Sequence, residues 1–101
     1  MYMKSEAILK YSDPTKVFKN ARDYLGKNVE IKLSTKENKK YMVLDPATDK
    51  WVHFGQMGYE DYTKHKDIER RKNYLARASN MKGQWRNNPY SPNNLSIHIL
   101  W

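Results

Sequence analysis

Three observations predict an α+β fold. A capped amphipathic pattern lies near the N-terminus, short runs of alternating apolar and polar residues follow within 29–54, and a basic helical pattern occupies 62–80. The expected order is an N-terminal helix, a three-stranded antiparallel meander, a long basic helix and a short C-terminal helix. A chain of 101 residues has room for one modest core, so 1–101 is read as a single domain.

Residues 1–11 fit a short strand or a docked arm, through Ala7, Ile8, Leu9 and Tyr11. Ser12-Asp13-Pro14 is a helix start, with Asp13 or Ser12 as the cap and Pro14 in the first turn, where its missing N–H costs nothing. Val17, Phe18, Ala21, Tyr24 and Leu25 recur at helical spacing, and Gly26 is expected to stop the helix in a left-handed conformation.

Val29, Ile31 and Leu33 alternate with Asn28, Glu30 and Lys32, which is the pattern of a strand with one buried face. A polar turn over 35–39 leads to a second strand over 40–44, and Asp45-Pro46-Ala47-Thr48-Asp49 turns into a third over 51–54. Short connections of this kind favour an antiparallel meander that needs a helix over its apolar face. Gly55 and Gly58 then bracket a change of direction, and Glu60 and Asp61 suit the positive end of a following helix.

One helix is expected from about Tyr62 to Asn80, with Ile68, Leu75 and Ala76 as its core stripe. Lys66, Arg70, Asn73 and Arg77 fall at i, i+4, i+7 and i+11, a shared outward face that Lys64 and Arg71 widen. Residues 85–90 read as loop. Ser91-Pro92 repeats the cap-plus-proline signature, so a short helix is expected to the C-terminus, with an alternating strand through Leu95, Ile97, Ile99 and Trp101 as the rival. The apolar ending Ile99-Leu100-Trp101 must be buried in the core or against a second copy, and it is the expected homodimer interface.

Nineteen Lys and Arg against eleven Asp and Glu give +8, a charge that attracts polyanions. Each half of the chain nets +4, so the charge is no simple tail, but residues 62–86 carry eight basic residues against Asp67 and Glu69 alone. Lys64, Lys66, Arg70, Arg71, Asn73, Arg77, Lys82 and Arg86 are therefore the candidate nucleic-acid contacts. Cations spaced along a helix can track phosphates and release counterions, which gives sequence-independent, salt-sensitive binding to double-stranded DNA. Pairing of Asp67 with Arg70 or Arg71, and of Glu69 with Lys72 or Asn73, absorbs only part of that charge.

Cysteine is absent, which excludes disulfides, thiolate metal sites and thiol nucleophiles. The first apolar run, Ala7-Ile8-Leu9, is far too short for a signal peptide, and no membrane-spanning stretch is expected. His53, His65 and His98 match no zinc spacing, so neither a metal nor another cofactor is expected. No nucleophile sits beside a base and no glycine-rich phosphate loop is present, so no catalytic residues are assigned. A nuclease would need His53, Glu60, Asp61 and His65 to converge. His65 is expected instead to pack at the helix-to-turn junction and bond the backbone near Gly58. Trp51, Trp85 and Trp101 are expected to anchor the core or an interface.

The string Phe54-Gly55, Gly58-Tyr59, Asp61-Tyr62-Thr63, His65-Lys66-Asp67, Glu69-Arg70, Tyr74 and Arg77 resembles a family of small basic proteins of unknown function. These are encoded by large and giant nucleocytoplasmic DNA viruses. The closing Ser91 to Trp101 is similar to the same family's C-terminus, so the resemblance covers about half of the chain. It implies a virion component, present in host cytoplasm or nucleus during infection, and no assigned chemistry. Ala78 stands where that family often carries histidine, which argues against a metal or phosphate role at this position. A non-enzymatic DNA-associating virion protein is the resulting expectation. The alternative is a minor capsid or tegument-like adaptor that docks on other virion proteins.

Overall fold

The structure is a computed structural model that describes residues 4–101. It is α+β. Helix α1 (Lys4–Ala7) runs into a 3₁₀ turn (Ile8–Lys10), and α2 (Pro14–Leu25) follows. Strands β1 (Ile31–Leu33), β2 (Lys39–Asp45) and β3 (Lys50–Gln56) precede α3 (Tyr62–His65), α4 (Ile68–Ser79) and α5 (Pro92–Leu95). A π turn over Ser96–Leu100 continues α5 to the C-terminus.

The expected meander forms. The three strands lie in the order β1-β2-β3, both pairs antiparallel, with Val43 opposite both Ile31 and Val52 and with Tyr41 opposite Phe54. Tyr41, Val43 and Phe54 form the sheet's share of the core. Val17 and Ala21 of α2, Ile8, and Leu95, Ile99 and Leu100 of the C-terminal segment complete it.

Local chemistry explains most of the boundaries. The Asp13 carboxylate accepts from the Lys16 N–H, and Pro14 occupies the first turn of α2. Gly26 ends α2 at φ 104° and ψ 159°, a glycine-favouring φ but an extended ψ rather than the expected left-handed helical one. The Ser91 hydroxyl accepts from Asn94 N–H, so the cap-plus-proline signature makes α5 helical and the strand alternative is wrong. The Asn94 side chain donates to the carbonyls of Trp85 and Asn88, which fixes the preceding loop, itself containing a 3₁₀ turn over Trp85–Asn87.

Three expectations need correction. Residues 4–10 are helical and not a strand; as in the docked-arm alternative they pack on the domain, with Ile8 in the core and the Lys4 ammonium donating to the Ser34 carbonyl at 2.9 Å. Residues 1–3 of that segment lie outside the described residues.

The basic helix is also not continuous. It breaks at Lys66, whose φ of 56° is left-handed, because Asp67 caps a new helix by accepting from the N–H groups of Glu69 and Arg70. An aspartate competes with the helical backbone for N–H donors, which favours a cap over an interior position. His65 reinforces the break: its Nδ1 accepts from Asp67 N–H at 2.9 Å, so its partner is not the backbone near Gly58.

The core stripe of α4 is displaced as well. Ile68 is 67% exposed and Ala76 is also exposed, whereas Ala78 is buried and Tyr74 and Leu75 are half-buried. Ile68 is the first residue of α4, beside the Asp67 cap, and the face that packs inward runs through Tyr74, Leu75 and Ala78 instead.

Candidate nucleic-acid interface

The break in the helix decides where the basic residues go. Arg70, Asn73 and Arg77 remain together on α4 at i, i+3 and i+7, and they line a cleft of about 650 Å³. Lys39, Phe54, Gly55 and Gln56 line it from the sheet, and Tyr59 and Glu60 from the β3–α3 connection. Ser96, Leu100 and Trp101 line it from the C-terminal segment.

Gly55 permits this junction of sheet and C-terminus. Its φ is 81°, and a Cβ there would stand 2.8 Å from the Leu100 Cδ1 and 3.1 Å from the Lys40 Cβ. Only glycine meets both constraints, so Gly55 serves close packing within β3 rather than the expected turn.

Arg70 is held at rest by Glu60, with Nη1 3.2 Å from Oε1 and both side chains close to half exposed. Asn73 and Arg77 lie on the same face, beside Tyr74, whose ring stacks on Trp101 at 4.2 Å and 12°. Burial pushes the Tyr74 hydroxyl above its ordinary range. Glu60 is the one acidic residue lining the cleft among the described residues.

The other predicted contacts do not join this group. Lys66 is the left-handed residue between α3 and α4, so it is not on the face of Arg70 and Arg77. Lys64 is exposed on α3, and Lys82 is exposed beyond α4. Arg86 lies over the Trp85 ring at 4.4 Å. Arg71 points elsewhere: its Nε donates to the Trp101 carbonyl at 2.7 Å and its guanidinium lies over the Tyr62 ring, so its role is to hold the C-terminus.

Ile99 and Leu100 are buried in the core of a single chain, and Trp101 is half-buried against Tyr74 and His65. The apolar ending is thus covered within one copy. The case for a homodimer that rested on these residues loses its physical reason. None of the three tryptophans is fully buried either; Trp51 lies under the Lys32 ammonium at 4.6 Å.

Asp61 and Thr63, two residues of the string that resembles the viral family, join a buried polar network with Ser12, Lys40 and Tyr41. Lys40 Nζ lies 3.0 Å from Asp61 Oδ2, with side chains only 3% and 1% exposed, and it also donates to the Tyr11 carbonyl. Thr63 spends its one hydroxyl proton on Asp61 Oδ1 and accepts from Asp13 N–H. Ser12, 3.3 Å from Thr63 Oγ1, must therefore donate to it, while Tyr41 donates to Ser12 at 2.8 Å. Proton donation runs from Tyr41 through Ser12 and Thr63 to Asp61. Burial pushes the Tyr41 hydroxyl well above its ordinary range, which keeps it a donor. Burial also pulls the Lys40 ammonium down, with the nearby Asp61 charge opposing it.

Asp61 therefore does not cap α3 with its side chain. Sequence reasoning missed this pair because an acid before a helix is usually a cap. The available signal was Lys40 abutting the apolar run Tyr41 to Leu44.

The remaining titratable candidates are scattered. His53 Nδ1 is hydrogen-bonded to Ser34 Oγ at 2.6 Å, and His98 stacks on Tyr24 at 4.4 Å. With Asp61 committed to Lys40 and Glu60 to Arg70, the set His53, Glu60, Asp61 and His65 does not converge. No cluster of three or more possible metal ligands occurs among the described residues.

Fold and site together define a small α+β domain with a basic, aromatic-edged cleft. Over residues 29–78 the chain is similar to a family described as a family of unknown function, DUF5754. That span holds the sheet, the Lys40–Asp61 pair, and Arg70, Asn73 and Arg77 of the cleft; it stops short of α5 and Trp101. No curated protein and no solved structure matches the chain significantly.

Proposed function

We propose that this protein is a non-enzymatic nucleic-acid-binding protein that holds DNA without base specificity through the α4 wall of the cleft. One observation carries the reading: Arg70, Asn73 and Arg77 share one face of α4 in an open cleft whose sole acidic lining residue, among the described residues, is Glu60. Arginine is the side chain best suited to phosphate, because its planar guanidinium can donate two parallel hydrogen bonds. Lys39 on the sheet side and the exposed Lys64, Lys66, Lys82 and Arg86 add attraction at longer range. The resemblance to basic proteins of DNA viruses supplies a setting, a particle whose DNA must be compacted.

Binding should weaken steeply with salt. Replacing Arg70 and Arg77 together with Gln should reduce affinity for random-sequence DNA at low salt, and should flatten the salt dependence by a slope of about 2. Unchanged affinity in a gel-shift titration would remove this face from consideration. A second reading, a virion adaptor docking on other virion proteins, is favoured by the exposed Ile68 on the same helix. It predicts weak, nearly salt-independent DNA binding instead.

A further inference from the structure

We propose that the cleft takes an unpaired nucleotide of single-stranded DNA, its phosphate on Arg70 and Arg77 and its base against Tyr59. This rests on the nucleic-acid reading above and narrows it. A helix that reads duplex DNA must protrude into a groove. Here the cationic face of α4 forms one wall of a concavity shared with the sheet and the C-terminal segment, and not a ridge that could enter a groove. A splayed single strand has no such restriction. The volume of about 650 Å³ is within the range of sites that enclose small ligands.

The lining chemistry matches a nucleotide's two halves. Tyr59 is 71% exposed at the cleft, where its ring is a ready platform for a base. The Tyr74–Trp101 stack supplies an apolar wall, and the Asn73 amide offers both a donor and an acceptor. Stacking on a tyrosine tolerates any base, in keeping with binding that lacks sequence specificity.

Glu60 sets the threshold for entry. Its carboxylate occupies the Arg70 guanidinium in the free protein, in the manner a phosphate oxygen would. Both side chains are well exposed, so the pair is weak and a phosphate can displace the carboxylate. Removing that charge should therefore tighten binding.

Fluorescence anisotropy with a labelled oligothymidylate and a labelled hairpin duplex, at equal salt, tests the proposal on the full chain. The wild type should bind the single strand more tightly. Tyr59→Ala should weaken single-strand binding by about tenfold, as expected for one lost base–aromatic stack, and leave the duplex unaffected. Glu60→Gln should tighten the single strand several-fold. Tyr59 is exposed and Glu60 is in a surface pair, so neither change threatens folding, and a thermal melt verifies this. A preference for the duplex, or a single-strand affinity that Tyr59→Ala leaves unchanged, would overturn the unpaired-nucleotide site while DNA binding stands. Absence of salt-sensitive binding to both probes would overturn the site and the broader reading together.

Discussion

Glu60 and Asp61 are adjacent in sequence, and each pairs with a cation, yet the two pairs belong to different parts of the molecule's chemistry. Asp61 meets Lys40 in the interior, where both side chains are nearly inaccessible, and Thr63 and the Tyr11 carbonyl meet the remaining hydrogen-bonding demand. Glu60 meets Arg70 at the edge of the cleft, with water on both. A buried pair must stay intact because either charge alone would be stranded in a poorly polarisable interior. An exposed pair contributes little to stability and can exchange its anion. Burial, and not residue type, separates a structural ion pair from one open to a ligand.

The largest effect should come from breaking the buried pair. Asp61→Ala leaves the Lys40 ammonium uncompensated and should cost about 3–5 kcal/mol in urea denaturation. Adding Lys40→Met should restore part of that loss, since the two residues are energetically coupled. Equal instability of the single and double variants would mean that the loss comes from Thr63 and the loop and not from the charge.

Gly55→Ala acts where the sheet meets the C-terminal segment. Its positive φ and the Leu100 and Lys40 contacts predict a loss of about 2–4 kcal/mol. A smaller loss would show that the Leu100 side chain yields. Asp67→Ala removes the cap of α4 and should cost about 1 kcal/mol. It should also weaken DNA binding modestly, because Arg70 rides on that first turn.

His65 links the two regions through pH. Burial first, and then the Arg70 charge, lowers its pKa below the ordinary value of about 6.5. The unfolded chain therefore binds this proton more readily than the folded one. Stability from this group is fully present above pH about 6.5 and is lost as pH falls through the lower folded pKa. His53 is shifted in the same direction, by burial and the neighbouring Lys36, Lys4 and Lys39. Urea midpoints should fall between pH about 7 and 5, and His65→Gln should shallow that slope without abolishing it. The smallest stability change, under about 1 kcal/mol, is expected for Glu60→Gln. If that variant were as damaged as Asp61→Ala, the contrast between the two pairs would collapse.

Much of the architecture was legible in sequence. Asp13-Pro14 and Ser91-Pro92 mark helix starts because caps and prolines act within one turn of the chain. The alternation of Ile31 and Leu33 marks a strand because only a pleated chain puts them on one face. The candidate site was half legible: i, i+3 and i+7 spacing united Arg70, Asn73 and Arg77, whereas Lys66 and Arg71 were wrongly grouped with them. The Asp67 cap separates Lys66 from α4, and Arg71 turns to the C-terminal carbonyl, a group distant in sequence.

The sequence alone thus determined the fold class, the starts of α2 and α5, the meander and the basic character of residues 62–86, because each rests on short-range chemistry or on a sum of charges. Tertiary structure decided which acid is buried, which arginines face the cleft, and that Ile99 and Leu100 close the core of their own chain. Those outcomes depend on burial and on contacts between Lys40 and Asp61, Gly55 and Leu100, and Arg71 and Trp101. Such partners are many residues apart, and no local pattern brings them together.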